Sequence, residues 1–201
     1  MNNWKKWDPE IKESFIEYNS NLFLNKNTIY KKKNKKVLID FSSPNIGKEM
    51  HVGHLRSTII GDFISNILNY YGYKTMRINH IGDFGSQLGM LINYVKEKYK
   101  KKKKIIDNKK LSDISIYYKL AKTKYDSNKN FKKQSGIETT NLQKGEKLTL
   151  NIWNQIKQIS NNEYKKIYKM LNINIKEIGE SFYKNEIEKN IKNIEKNKFI
   201  T

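Results

Sequence analysis

The run Phe41-Ser42-Ser43-Pro44-Asn45-Ile46-Gly47-Lys48-Glu49-Met50-His51-Val52-Gly53-His54-Leu55-Arg56 decides how this chain is read. Before it, Val37 to Phe41 is a short apolar run broken only by Asp40. That pattern fits a strand inside a parallel sheet, with Asp40 as a buried acid. Pro44 stops the strand and forbids helix at Ser43. From His51 the periodicity turns helical, with Leu55, Ile59, Ile60, Phe63, Ile64, Ile67 and Leu68 at i+3 and i+4 spacing, and Gly72 closes the helix. Lys74 to Ile81 is a second strand, with Thr75, Arg77 and Asn79 on one face and Met76, Ile78 and His80 on the other. Strand, helix and strand make one crossover, right-handed by rule, of the kind that opens a nucleotide-binding α/β sheet.

Further along, Gly82 to Gln87 is a turn leading into a helix carried by Leu88, Leu91, Ile92 and Val95. Lys96 to Lys104 reads as a solvated insertion. A helix is predicted around 113–122, then a polar loop to about residue 129. Leu148 to Leu171 reads as one long helix or two abutting ones, with Trp153, Ile156, Tyr164, Ile167, Tyr168 and Leu171 inward and Asn161-Asn162 as a weak break. These aromatics belong to a core rather than to a base-stacking platform. A short extended piece (Ile173, Ile175, Ile178) and a last helical face (Ile187, Ile191, Ile194) follow. Residues 1–36 read as a helical lead-in, with Phe15, Tyr18 and Leu22 on one face, then a lysine-rich linker.

Composition sets the bounds. The 201 residues contain no cysteine, which excludes a disulfide framework and any cysteine zinc site. The start carries no secretory pattern, and no run of about 18 apolar residues is present, so no membrane partner is expected. A soluble cytoplasmic protein is the expectation, with an organellar address left open. Forty Lys+Arg against twenty Asp+Glu leave a formal charge of +20. Such an excess favours a polyanionic partner, although a lysine drift accompanied by abundant Asn and Ile is as good an account of it.

His51 and His54, three residues apart, share one face of a first helical turn. Imidazole N–H groups aimed at an α-phosphate, backed by the helix dipole, would stabilise charge developing there. Loss of one such donor typically costs about 10²–10³ in rate. Gly53 would let a flat purine lie against the backbone. Lys48, in the same loop, is a candidate phosphate contact, and so is Arg56. Asp40, two residues before the Ser-Ser-Pro-Asn loop, is a candidate carboxylate for a guanidinium. Asp83 either caps the helix that starts near Gly85 or meets a ligand, and Gln87 is a weaker candidate of the second kind.

The flanks narrow this further. Ser42 to Asp62, taken as a block, closely resembles the signature of arginyl-tRNA synthetases. Asn79-His80-Ile81-Gly82-Asp83-Phe84-Gly85-Ser86-Gln87-Leu88-Gly89-Met90-Leu91 is similar to that family's second block. Leu142-Gln143-Lys144-Gly145 and Gly179-Glu180-Ser181-Phe182-Tyr183 are similar to two more. The resemblance runs from about residue 37 to the end. It implies the first half of a Rossmann-like, parallel-sheet α/β catalytic domain with added helices, spanning 37–201 and stopping before the second signature loop.

It also implies an aminoacyl-tRNA ligase with ATP, L-arginine and tRNA(Arg) as partners, Mg²⁺ arriving with ATP, no protein metal ligand, and a monomer in the full-length form. Under it, His51 and His54 handle ATP phosphates, joined by Gly53 and Lys48. Asp40, Ser43, Asn45 and His54 face arginine. Gly47 stands where the family usually has Ala, and Phe84 where it usually has Trp. The family's lysine-rich second signature loop and helical anticodon-binding domain have no counterpart here, so weak or no aminoacylation is expected of these residues alone. Two other readings stay open, a small-molecule adenylyltransferase and an inactive RNA-binding fragment.

Overall fold

The computed structural model describes residues 34–99 and 109–196. The predicted lead-in helix and most of the lysine run, residues 100–108 among them, lie outside these. In chain order the elements are β1 (Lys36–Asp40), α1 (Val52–Tyr70), β2 (Lys74–Ile81), α2 (Ser86–Lys98), α3 (Leu111–Ser127), α4 (Lys129–Lys144), α5 (Lys147–Met170), β3 (Lys176–Gly179), a 3-10 turn (Glu180–Tyr183) and α6 (Lys184–Lys196). The three strands form one sheet in the order β1-β2-β3. β2 and β3 are parallel, with His80 opposite Ile178 and Ile81 opposite Gly179. The crossover read from the sequence is therefore present as an α/β unit with parallel strands.

Two compact units are distinguished, Met1–Ile39 with Phe63–Met76, and Asp40–Asp62 with Arg77–Thr201. In the described part of the first, Gly72 ends α1 at φ 83°. Thr75 is fastened back to the helix, with its N–H and its hydroxyl both donating to Asn69 Oδ1 (3.3 and 2.8 Å). Leu38, Phe63, Ile64 and Met76 are exposed.

The second unit holds the main core. Leu88, Leu91, Ile92 and Val95 of α2 pack with Ile114 of α3, Leu142 of α4 and Ile152, Ile156 and Tyr164 of α5. Gly89 lets α2 and α4 approach closely, since a Cβ there would lie 2.0 Å from Thr139 Oγ1. Caps set the helix ends. The Asn128 side chain accepts from Phe131 N at the start of α4, Gly145 in the left-handed conformation closes it, and Glu146 accepts from Leu148 N and Thr149 N to start α5.

Several expectations need correction. β1 lies at an edge of the sheet among the described residues, and alternates between exposed and half-buried positions, with Asp40 exposed rather than buried. In α1 the small residues Thr58, Gly61 and Ser65 are buried, while Ile59, Ile60, Phe63 and Ile64 are exposed. Close approach selected the small-residue stripe: a Cβ on Gly61 would lie 2.2 Å from Phe41 Cγ.

The expected polar loop to about residue 129 is largely taken up by α3, which runs to Ser127, and the unassigned stretch after it forms helix α4. Its few apolar residues gave no period, and its caps were the only signal. α5 is one unbroken helix through Asn161-Asn162. Lys96 belongs to α2 and not to a solvated insertion, since its ammonium is held 2.6 Å from Glu138 and 2.7 Å from Thr149 Oγ1. Among the described residues no helix is long and apolar enough to cross a membrane.

Candidate active site

The loop after β1 is tightly bent. Ser42 (φ 80°) and Ser43 (φ 49°) are both left-handed, as is Gly47 (φ 80°). Non-glycine residues held there cost on the order of 1–3 kcal/mol each, and persist only where the surroundings over-determine them. The surroundings do so here through one row of α5, in which Ser160, Tyr164 and Tyr168 recur every four residues. Ser160 Oγ accepts from Gly47 N (2.9 Å). The buried Tyr164 hydroxyl lies 2.7 Å from the carbonyl oxygens of both Asn45 and Lys48. The Tyr168 hydroxyl lies 2.7 Å from Ser42 Oγ and accepts from Asn79 Nδ2 (3.0 Å). Asn79 Oδ1 in turn accepts from Ser43 N (2.8 Å). Burial pushes both phenols above their ordinary range.

A second line of contacts comes from β2. Asn45 and Gly82 form a parallel bridge, with Gly82 N donating to Pro44 O (3.0 Å) and Ile46 N to Gly82 O (3.1 Å). A Cβ on Gly82 would fall 1.8 Å from Asn45 Oδ1, so glycine is what lets the Asn45 side chain lie there. Gly47 is likewise held to glycine by its surroundings. Its φ is left-handed, and a Cβ would meet Leu91 Cδ2 at 2.9 Å.

The loop delivers His51 and His54 to the start of α1. Their rings stack with centroids 3.9 Å apart. His51 Nδ1 accepts from Gly53 N (3.1 Å), and His54 Nδ1 accepts from His51 N (3.2 Å). A ring nitrogen that accepts carries no proton, so each imidazole keeps its hydrogen on Nε2. Partial burial lowers the His54 pKa, and the charges of His51 and Lys48 lower it further. The result is a pair of N–H donors at a helix N-terminus, an arrangement suited to phosphate oxygens. Gly53 has a role the sequence did not reveal: a Cβ there would come within 2.9 Å of the His51 ring.

Lys48 Nζ sits 4.3 Å from the centroid of the Tyr118 ring and 3.3 Å from Gln87 Oε1, which also accepts from Tyr118 Oη (2.9 Å). Asn45, Gln87, Tyr118 and Glu180 border a cleft of about 190 Å³. That is smaller than the few hundred Å³ of a typical ligand pocket. Arg56 is exposed on α1.

Asp83 does not cap α2: the N-cap is Gly85, and no side chain caps that end. Its fully buried carboxylate is paired with Lys157 Nζ (2.6 Å) and accepts from Ser181 N and Ser181 Oγ (2.8 Å each). Trp153 Nε1 donates to its carbonyl (2.7 Å), and a Cβ on Gly179 would collide with it. Asp83 therefore ties the turn after β2 to the turn after β3. Asp40 accepts from His80 N (3.3 Å) through Oδ1, and its Oδ2 lies 2.7 Å from His80 Nδ1. With one further lone pair on each oxygen and two-fifths of the side chain exposed, it can still take a cation.

Sequence reading assigned no site role to Asn79, His80, Ser160 or Tyr183, nor to the hydroxyls of Tyr164 and Tyr168. The available signals were the motif blocks that hold Asn79, His80 and Tyr183, and three hydroxyls at four-residue spacing along an apolar helix face. Among the described residues no cluster of three His, Asp or Glu side chains could hold a metal ion.

The chain matches the model of the family described as tRNA synthetases class I (R), catalytic domain, over residues 19–201. It is 51% identical over 152 residues to an arginine–tRNA ligase of Prochlorococcus marinus, covering 76% of this chain and 25% of that protein. It is 49% identical over 178 residues to one of Wigglesworthia glossinidia brevipalpis, covering 86% and 30%. Among solved structures, the arginyl-tRNA synthetase of Plasmodium falciparum superposes with a TM-score of 0.70 at 36% identity, over 89% of this chain and 30% of that one. The chain thus spans about a quarter to a third of the length of these relatives. On the matched motifs, the parallel α/β fold and the family match, the chain belongs to the class I tRNA synthetases (R), as part of their catalytic domain.

Proposed function

We propose that the chain carries part of the active site of an arginine–tRNA ligase, with residues 37–201 as the catalytic portion and 1–36 as a lead-in. In the first step the arginine carboxylate oxygen attacks the α-phosphorus of ATP, and the bond to the β-phosphate bridging oxygen breaks. Arginyl-adenylate and pyrophosphate result. In the second, a hydroxyl of the terminal ribose of tRNA(Arg) attacks the arginyl carbonyl, and AMP leaves.

The observation that carries the reading is the stacked imidazole pair, whose Nδ1 atoms are both occupied by backbone N–H groups. That leaves two fixed Nε2–H donors for the oxygens on which charge grows during attack. Donors that are already oriented need no reorganisation as the transition state forms. His51, His54 and Gly53 are assigned to ATP, with Lys48 as a further cation for its phosphates. Asp40, Ser43, Asn45 and His54 are assigned to arginine, and Asn45 and Gln87 border one cleft. Mg²⁺ would enter on the triphosphate, which it binds well while keeping several waters.

ATP–pyrophosphate exchange tests the reading, run with arginine and with or without tRNA, on this chain and on any longer product of its gene. Exchange that needs arginine supports it. Exchange indifferent to arginine, or driven equally by other small acids, would favour a small-molecule adenylyltransferase. RNA binding without exchange in either product would favour an inactive RNA-binding module.

A further inference from the structure

The ends of β1 and β2 and the turn after β3 meet in one line of side chains. Asp40 is the last residue of β1, His80 the penultimate residue of β2, and Tyr183 closes the 3-10 turn that follows β3. His80 Nδ1 lies 2.7 Å from Asp40 Oδ2, and His80 Nε2 lies 2.7 Å from the Tyr183 hydroxyl. The backbone N–H of His80 donates to the other carboxylate oxygen of Asp40 (3.3 Å). An ionised carboxylate only accepts, so the nitrogen facing it must carry a proton. Nε2 of a neutral ring is then left to accept, and the Tyr183 O–H donates to it. The polarity runs one way, from phenol to imidazole to carboxylate, and it is opposite to the Nε2–H form of His51 and His54.

Asp40 is held on both oxygens by one residue, while two-fifths of its side chain stays open. A carboxylate at the end of an edge strand would otherwise rotate freely in water. We propose that His80 and Tyr183 are positioning residues for Asp40. They fix its carboxylate plane so that its remaining lone pairs meet the cationic group of the amino-acid substrate, a geometry a planar guanidinium demands. The ligand half of this inference rests on the arginine reading above, whereas the polarity of the line does not. The line also gives the Gly-Glu-Ser-Phe-Tyr block two separate functions: Ser181 fastens it to Asp83, and Tyr183 steadies Asp40 through His80.

The test uses the full chain with ¹⁵N-labelled histidine. Long-range proton–nitrogen spectra report which ring nitrogen of His80 is protonated. The Nδ1–H form is expected in the wild type, with loss of that preference in Asp40→Asn. An Nε2–H form in the wild type overturns the proposal. The second arm titrates L-arginine and, as its uncharged isostere, L-citrulline, with thermal melts confirming that each variant is folded. His80→Leu removes the side-chain donor to Asp40 and is expected to weaken L-arginine binding about tenfold or more. His80→Asn, whose amide N–H can reach the same carboxylate, is expected to recover most of that loss.

Tyr183→Phe should blur the tautomer preference and weaken arginine binding by a smaller factor than His80→Leu. A folded His80→Leu that binds L-arginine as the wild type does overturns the proposal. If the wild type does not distinguish arginine from citrulline, the ligand half falls with the arginine reading, and the tautomer spectrum alone decides the line.

Discussion

Replacing Tyr168 with Phe tests how the signature loop is held. Tyr168 is 4% exposed, and its hydroxyl is shared by Ser42 Oγ and Asn79 Nδ2, both on residues that are buried as well. Asn79 Nδ2 can only donate, so the tyrosine oxygen accepts from it and spends its own hydrogen, or a second lone pair, on Ser42. Phenylalanine fills the same ring volume, so no large cavity opens. The whole effect comes from stranding a buried amide donor and a buried hydroxyl. At about 1–3 kcal/mol per unsatisfied buried group, and with some relaxation, roughly 2–4 kcal/mol of stability should be lost.

The damage should spread along the loop, because Asn79 also accepts from Ser43 N, and Ser43 is one of the loop's two left-handed serines. Urea unfolding of Tyr168→Phe, Ser42→Ala and the double variant would measure the loss and the coupling between the two hydroxyls, expected to exceed about 0.5 kcal/mol for groups in direct contact. Amide exchange at Ser43 should rise in parallel. A Tyr168→Phe protein within about 0.5 kcal/mol of wild type, with unchanged exchange at Ser43, would refute the argument, since that is the scatter of an indifferent substitution.

Other outcomes follow from single contacts. Gly82→Ala should lose about 2 kcal/mol or more in denaturant unfolding, because its Cβ would overlap Asn45 Oδ1 and force that side chain out of the loop. Asp83→Ala should cost about 3 kcal/mol in the same measurement. It removes a fully buried carboxylate from Lys157 and Ser181, and the partial exposure of Lys157 limits the loss. Glu146→Ala should cost about 1 kcal/mol at neutral pH as the lost cap of α5. The Glu146 pKa is lowered from 4.5 to about 2, by its hydrogen bonds from the Thr149 hydroxyl and N–H before the other contributions. A depressed acid stabilises the fold above its unfolded value and loses that effect as pH falls through its folded value. The gap between wild type and Glu146→Ala should therefore be constant above about pH 5, and shrink between pH 4.5 and 2.

Much of the architecture was legible along the chain, because it is written in local chemistry. Pro44 marks the loop that follows β1, the i+3 and i+4 periodicity and Gly72 bound α1, and the short apolar run before Ser42 forms a strand. Helix α4 escaped because a helix with three scattered large apolar residues has no visible period, and its caps at Asn128 and Gly145 are weak signals alone. The apolar stripe of α1 is a related case. Periodicity shows that a face exists, yet which face packs is decided by how closely the neighbour can come. Gly61 against Phe41 brought the small-residue side inward.

The candidate site divides along the same line. The spacing of His51 and His54, and the turn that presents them, follow from sixteen contiguous residues. The direction of their ring protons follows from two backbone N–H groups in the same turn. Nothing local could reveal that Tyr168 would anchor Ser42 from 126 positions away, or that Asp83 would be sealed by Lys157 and Ser181. Nor could it show that His80 and Tyr183 would hold Asp40. A side chain's polar tip is satisfied by whatever group folding brings within about 3 Å, and that is a property of the packed chain rather than of sequence neighbours. By itself the sequence determined the elements and the type of chemistry, through periodicity, caps and motif spacing. The tertiary structure decided which polar groups remain free to meet a substrate and which are consumed in holding the loop.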